Sequence, residues 1–164
     1  MENKNPKFDE KKFKAVREKA EEMYKNNGKI KCPYLDDFVH FNNEGFEHLL
    51  FKSWNRGRSE VEQYNRLRLL HLVPEIVAKS HTLQEYDERK LFVRQRINSR
   101  WEKKAKLVKY YVFVAIIKDA RVKVVVKEIE GGVKFFYSMY PSWIEFFDDD
   151  GNKRKKLSST KFEE

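Results

Sequence analysis

Two neighbouring glycines, Gly131-Gly132, lie between two runs of alternating apolar and polar residues, and this pattern constrains the fold more than any other. Gly-Gly between such runs is among the strongest signals for a two-residue β-hairpin. Asp119-Ala120 separates the first of these runs from an earlier one in the same way. The sequence therefore predicts an antiparallel β-meander with the strands Leu107–Lys118, Arg121–Glu130 and Val133–Tyr140.

The segment that follows Thr82 also alternates, which predicts a fourth strand. Leu91, Val93 and Ile97 are separated there by cationic residues. We expect Trp101 to Lys106 to be a charged connection between this strand and the meander.

Upstream of the strands, apolar residues recur at intervals of three and four, which predicts helices. The first helix runs from Asp9 to Asn26, and Gly28 follows it where a helix stop belongs. After a short extended segment at Asp37–Phe41 and a cap at Asn42-Asn43, the second helix runs from Glu44 to about Trp54. Ser59 and Glu62 form a capping box for a third helix, which reaches His71 and continues as Pro74–Ser80.

These elements predict an α+β domain in which N-terminal helices pack on one face of a C-terminal antiparallel sheet of about four strands. We expect one domain over residues 1–147, with residues 1–28 as an N-terminal helical extension. Residues 148–164 are densely charged and are predicted to be a disordered tail. Cys32 is the single cysteine, which excludes an internal disulfide and a zinc site built from several cysteines.

The charge balance favours a polyanionic partner. Lys and Arg number 35 against 26 Asp and Glu, which gives a formal net charge of +9. A surplus of this size is typical of proteins that bind nucleic acid, and RNA is the partner that we expect. The sequence contains no apolar leader and no apolar run of transmembrane length, so we expect a cytoplasmic protein without membrane association. No motif indicates a cofactor or a metal.

The two-residue turn at Gly131-Gly132 also assigns the faces of the sheet. One face places Val124 opposite Met139, Val126 opposite Tyr137 and Glu128 opposite Phe135, and we expect the helices to cover it. The other face places Lys123 opposite Tyr140, Val125 opposite Ser138 and Lys127 opposite Phe136. Cations beside aromatic rings suit phosphates and unstacked bases. The alternative is that the two lysines only extend over a partly covered sheet.

Two stretches carry a resemblance to a known superfamily. Phe38-Val-His-Phe-Asn-Asn-Glu-Gly-Phe-Glu-His48-Leu-Leu is similar to a segment in which a short strand leads into a helix that bears a histidine. Lys123-Val-Val-Val-Lys-Glu-Ile-Glu-Gly-Gly-Val-Lys-Phe-Phe-Tyr-Ser138 is similar to a closing hairpin with Ser or Thr on its last strand. Over about Tyr34–Trp143 the chain resembles the barnase–EndoU–colicin–RelE superfamily of metal-independent ribonucleases, in particular its phage and mobile-element branch.

The resemblance implies a toxin-like endoribonuclease that has an acidic inhibitor or immunity protein as a partner. Such an enzyme needs a base, an acid and cations for the transition-state charge. A second histidine on the last strands, where some members carry their acid, is missing here, so a Tyr, Lys or Arg would have to serve. A non-catalytic RNA- or DNA-binding module and a protein-interaction domain are the competing interpretations.

The predicted site has two groups of residues. The catalytic candidates are His48, Arg66 and Ser138. The candidates for substrate binding are Arg56, Arg58, Arg94, Arg96, Lys123, Lys127 and Tyr140. Several of them have a structural alternative. Arg56, Arg58 and Arg66 can be surface charges or can pair with Glu60 and Glu62, Ser138 can fill space, and Tyr140 can close the sheet edge.

Among the four histidines, His48 lies off the apolar stripe of its helix and is therefore the candidate for proton transfer. His71 lies on the stripe of its helix and is expected in the core. His40 alternates with Phe38 and could equally be structural, whereas His81 follows a helix end and is expected to be a cap or a surface residue.

Overall fold

Local signals in the sequence set the ends of the helices and strands. The computed structural model describes residues 10–53, 56–117, 120–147 and 149–157. The helices are α1 (Glu10–Asn27), α2 (Asn43–Leu50), α3 (Glu60–Leu69) and α4 (Val73–Lys79), with a 3₁₀ turn (Leu70–Leu72) between the last two. The strands are β1 (Lys29–Cys32), β2 (Asp37–His40), β3 (Phe51–Ser53), β4 (Arg56–Gly57), β5 (Glu85–Ile97), β6 (Arg100–Ile117), β7 (Ala120–Ile129), β8 (Lys134–Pro141), β9 (Trp143–Phe147) and β10 (Lys153–Leu157).

The predicted helix caps are present. The Asn42 side chain accepts a hydrogen bond from the Gly45 backbone N–H at 3.1 Å, and Ser59 Oγ accepts one from the Glu62 N–H at 3.2 Å. Gly28 follows α1 with a φ of +59°, a left-handed conformation that costs glycine little. These contacts satisfy backbone donors that a helix end would otherwise leave without partners.

The second helix is shorter than predicted. It ends at Leu50, because Phe51 takes an extended conformation (φ −128°, ψ 139°) and pairs with Gly57 in a small hairpin of β3 and β4. Trp54, the predicted helix end, lies outside the described residues.

The main sheet has six strands and is mixed, where the sequence predicts about four antiparallel strands. Its order is β1-β2-β8-β7-β6-β5. The antiparallel meander is confirmed in β6, β7 and β8, which are neighbours in sequence order. The two additional strands are β1 and β2. Strand β1 (Lys29–Cys32), which was predicted to be a connector, pairs with β2, and β2 joins β8 in parallel where His40 pairs with Phe135.

Strands β5 and β6 form a longer hairpin than predicted. Trp101–Lys106 is part of β6 rather than a connection, and it pairs with Leu91–Arg96. Asn98 and Ser99 form the turn with φ values of +48° and +66°. Two consecutive positive φ values define the type I′ turn, whose twist matches that of the flanking strands. Charged residues are tolerated here because a two-stranded ribbon exposes much of both faces.

The turns of the meander differ from the prediction by small shifts. Ile117 pairs with Ala120, so Ala120 belongs to β7 and not to the predicted turn Asp119-Ala120; residues 118 and 119 lie outside the described residues. Strand β7 ends at Ile129 and β8 begins at Lys134, so the connection at Gly131-Gly132 is longer than two residues.

A β-bulge in β8 changes which face several of its residues occupy. Val125 pairs with Ser138 as predicted, but Val126 pairs with Phe136, which leaves Tyr137 as the extra residue. The predicted pairs of Val126 with Tyr137 and of Lys127 with Phe136 are therefore wrong. Phe136 joins the core under the helices, and Tyr137 joins the opposite face.

Apolar residues cover both faces of the sheet. The helices bury the first face, where Phe113, Val124, Phe136 and Met139 are at most 1% exposed. The second face has its own cluster around Tyr110, Val112 and Val125, and Tyr110 is 1% exposed. The second face is thus more apolar and better covered than a solvated sheet face.

The C-terminal segment also differs from the predicted disordered tail. Residues Lys153–Leu157 pair antiparallel with Trp143–Phe147 as a separate two-stranded sheet. Gly151, with a φ of +78°, provides the left-handed residue in the turn between them. Residues 158–164 lie outside the described part of the chain.

Candidate functional site

The position of His48 is set by the close approach of α2 to β8. Gly45, one turn before His48, lies so near the Phe136 backbone carbonyl that a Cβ atom there would collide with it. Residues three apart share one side of a helix, so this approach also brings His48 to β8. The His48 ring packs on Tyr137, with ring centroids 4.2 Å apart and planes inclined by 32°.

The imidazole of His48 is held in its neutral form. Burial, followed by the charges of Arg58, Arg66 and Lys127, lowers the pKa of His48 to about 3. Both ring nitrogens are buried, and neither has a hydrogen-bond partner among the described residues. Buried polar atoms without a partner are uncommon in native proteins, and they are often found where a ligand or a reaction uses them.

Arg66 connects α3 to the C-terminal half of β8. Its Nη1 donates hydrogen bonds to Ser138 Oγ at 3.1 Å and to the Met139 carbonyl oxygen at 2.9 Å. Burial is the main reason that the pKa of Arg66 falls to about 10, and the nearby charge of Arg58 adds to it. The guanidinium remains cationic at neutral pH and is fixed in position.

Tyr140 lies beside this guanidinium. The Arg66 Cζ is 5.6 Å from the centroid of the Tyr140 ring. The Tyr140 hydroxyl is buried and has no hydrogen-bond partner within the described part of the chain. Burial raises the pKa of Tyr140, so its hydroxyl keeps its proton at neutral pH.

Two further cations approach His48. Arg58 is 9% exposed, and its Nε donates a hydrogen bond to the His48 carbonyl oxygen at 3.0 Å. Lys127 Nζ lies 4.6 Å from the Tyr137 ring centroid and forms an ion pair with Glu44 at 3.5 Å. We call the whole group the cationic cluster; its members are His48, Arg58, Arg66, Lys127, Tyr137, Ser138 and Tyr140.

The structure thus brings together the three catalytic candidates and three of the seven candidates for substrate binding. Lys123 pairs with Tyr140 across the strands, but its Nζ forms an ion pair with Glu85 at 2.7 Å. Arg56 is exposed on β4. Arg94 and Arg96 lie on the distal part of β5, beyond the point where β7 pairs with β6, so they are not members of the cluster.

The other histidines are outside the cluster. His71, predicted to lie in the core, is exposed, and its Nδ1 is 2.9 Å from the Arg68 carbonyl oxygen. The helix changes to a 3₁₀ turn at Leu70, which rotates His71 away from the apolar stripe. His40 is half-buried in β2, and His81 is exposed.

Sequence reasoning missed Tyr137 as a member of the site. Strand alternation places it on the helix-covered face, and only the bulge moves it to the second face beside His48 and Lys127. No residue type in the sequence marks this bulge, since the bulged position carries no glycine.

The described residues contain no group of three or more His, Cys, Asp or Glu side chains placed to hold a metal ion. Within the same part of the chain, every helix is too short or too polar to cross a membrane.

Comparison with known proteins identifies one family. No curated protein and no solved structure matches the chain. A family model, described as large polyvalent protein-associated domain 3, matches residues 11–137. The match extends from α1 through the first half of β8 and includes every member of the cationic cluster except Ser138 and Tyr140. The chain therefore belongs to the large polyvalent protein-associated domain 3 family.

Proposed function

We propose that this protein is a metal-independent endoribonuclease and that the cationic cluster is its active site. The observation that carries the proposal is a neutral imidazole without hydrogen-bond partners among the described residues, with three cations around it. One of these cations, Arg66, also lies beside the ring of Tyr140, whose buried hydroxyl is likewise without a partner among the described residues. Cleavage would begin when the ribose 2′-oxygen attacks the adjacent phosphorus. The 2′-oxygen–phosphorus bond forms, the bond from phosphorus to the 5′-oxygen breaks, and the products are a 2′,3′-cyclic phosphate and a free 5′-hydroxyl.

His48 would be the base that takes the proton from the 2′-hydroxyl. In the free protein the low pKa makes His48 neutral, which is the state a base requires, but it also makes the ring a weak base. A phosphodiester bound among Arg58, Arg66 and Lys127 would offset their charges. The part of the pKa depression that these charges cause would then be removed, which makes His48 a stronger base, while the larger part that burial causes remains.

Arg66 and its neighbours would stabilise the charge of the transition state. A guanidinium has five N–H donors, and the hydrogen bonds of Arg66 to other described residues are both made through Nη1. Nε and Nη2 can therefore bind the phosphate while Ser138 and the Met139 carbonyl hold the side chain in place. Because the donor is already fixed in position, it need not reorganise during the reaction, and this preorganisation is the main source of electrostatic catalysis.

Tyr140 would be the acid that protonates the leaving 5′-oxygen. Its raised pKa keeps the hydroxyl protonated, and the adjacent Arg66 would stabilise the phenolate that forms. This assignment supplies the acid that the last strands otherwise lack, because they carry no histidine.

The family match agrees with the association with phages and mobile elements that the sequence resemblance implies. An acidic inhibitor that covers the cationic cluster is the partner we propose for a toxin-like enzyme.

A non-catalytic RNA- or DNA-binding module is the second candidate. It is favoured by the burial of both His48 ring nitrogens, because a substrate hydroxyl must reach one of them before the ring can act as a base. The cations would then bind phosphates without any chemistry.

The test compares the wild type with His48→Gln and Tyr140→Phe on transfer RNA in excess chelator. We expect the wild type to cleave, with cyclic phosphate ends, and each variant to lose about 10²- to 10⁴-fold in rate. His71→Gln is the matched control, since it changes an exposed histidine outside the cluster. Equal cleavage by wild type and His48→Gln would refute the proposed base. Salt-dependent binding without cleavage by any of the proteins would instead support the binding module.

A further inference from the structure

The distal part of the β5–β6 hairpin extends past the rest of the main sheet. The last β6–β7 pair is Val108 with Ile129, whereas β5 and β6 remain paired as far as Ile97 and Arg100. We call this extension, Lys90–Ile97 with Arg100–Leu107, the arm. At the usual rise per residue it is roughly 24 Å long.

Much of the net charge of the protein lies on the arm. Its residues include seven Lys or Arg and a single acidic residue, Glu102, so that it carries +6 of the formal +9. None of Lys90, Arg94 and Arg96 forms an ion pair with another described residue. A ribbon this cationic is suited to a polyanion.

One face of the arm combines these cations with exposed aromatic rings. Residues paired directly across two strands share a face, which places Phe92, Arg94 and Arg96 with Lys103 and Trp101. Phe92 is 79% exposed and Trp101 is 60% exposed. The Arg94 guanidinium lies 4.9 Å from the centroid of the Trp101 ring.

Packing within the protein does not account for this face. Trp101 stabilises the ribbon through Arg94, but Phe92 is left almost entirely in water. The acidic residue Glu102 pairs with Gln95 on the other face, so the aromatic face has cations and no carboxylate.

We propose that the arm binds single-stranded nucleic acid, whose unpaired bases stack on Trp101 and Phe92 while the flanking cations contact phosphates. Exposed rings favour a single strand over a duplex, because the bases of a duplex are already stacked on one another. This inference deepens the proposed function by naming the form of nucleic acid that the protein holds outside the cationic cluster. Binding by the arm does not require cleavage, so the two proposals can fail separately.

The test measures binding of the full chain by fluorescence anisotropy. The probes are unstructured strands of about 16 nucleotides, one of DNA and one of 2′-O-methyl RNA, neither of which has the hydroxyl needed for cleavage. We expect Trp101→Ala to raise the Kd about 5- to 150-fold, with Trp101→Phe restoring most of the affinity. A comparable loss of affinity for both probes would show that Trp101 stacks on the bases of DNA and RNA alike. A loss of affinity for one probe alone would identify the sugar that the arm selects.

Phe38→Ala is the matched control. Phe38 is also an exposed ring with a cation over it, Lys29 Nζ at 4.6 Å, but it lies on β2, outside the arm. We expect Phe38→Ala to bind both probes with the affinity of the wild type.

The salt dependence separates phosphate contacts from stacking. Replacing Arg96 and Lys103 with Gln should lower the slope of log K against log salt by about 1.4, whereas Trp101→Ala should leave the slope unchanged. The inference is wrong if Trp101→Ala binds as tightly as the wild type, or if a duplex of the same length binds more tightly than the single strand. Cleavage of transfer RNA that depends on His48 would stand in either case.

Discussion

Acidification tests how His48 is buried, because the low pKa of its ring makes folding stability depend on pH. In the unfolded chain a histidine binds a proton below about pH 6.5. In the folded protein the pKa of His48 is about 3, so between these two values the unfolded state binds more protons. Stability contributed by neutral His48 is therefore present above about pH 6.5 and is lost as the pH falls toward 3.

The size of the effect follows from the two pKa values. Proton linkage with 6.5 unfolded and about 3 folded gives a loss of about 3 kcal/mol between pH 7.5 and pH 4. In His48→Gln this contribution is absent, although the buried amide destabilises the variant equally at every pH. The stability difference between wild type and His48→Gln should thus shrink by about 3 kcal/mol over this range.

The assay is urea unfolding of both proteins at several pH values, with His71→Gln as the exposed control. Acid also removes the contribution of Asp37, whose carboxyl pKa is held low by a hydrogen bond from Lys134. That loss occurs in all three proteins and cancels in the comparison. Parallel pH profiles for wild type and His48→Gln would refute the reasoning, because they would mean that the ring titrates as it does in water and is neither buried nor surrounded by cations.

Two further predictions concern the elements that position the site. Gly45→Ala should destabilise the protein by about 1 to 3 kcal/mol in urea unfolding, since its Cβ would collide with the Phe136 carbonyl. Gly57→Ala is the control, because the nearest side-chain atoms to its Cβ would be 3.9 Å away. A Gly45→Ala variant as stable as the wild type would show that α2 does not approach β8 this closely. Ser59→Ala should lower stability by about 1 kcal/mol, because the Glu62 N–H loses its acceptor, and a midpoint equal to that of the wild type would contradict the cap.

Local features of the fold could be predicted from the sequence because each depends on a few adjacent residues. The caps at Asn42 and Ser59 are examples, since a side-chain oxygen reaches the N–H three residues later whatever the rest of the chain does. The parallel pairing of His40 with Phe135 joins strands far apart in sequence. Alternation in a four-residue strand such as β1 is too short to distinguish from a connector, which is why six strands were not predicted.

The predicted site depended on the register of β8, and two deviations in that strand compensate each other. The connection at Gly131-Gly132 shifts the first pairs of the hairpin by one residue, so that Glu128 faces Lys134 rather than Phe135. The bulge then inserts one residue, and the pairs beyond it, such as Val125 with Ser138, return to the register that a two-residue turn would give. Ser138 and Tyr140 therefore lie on the predicted face. Tyr137, inside the bulge, is on the opposite face from the one predicted, and there it packs on His48. The bulge is thus what places an aromatic ring and a hydroxyl from consecutive residues on one face, an arrangement that a regular strand cannot provide.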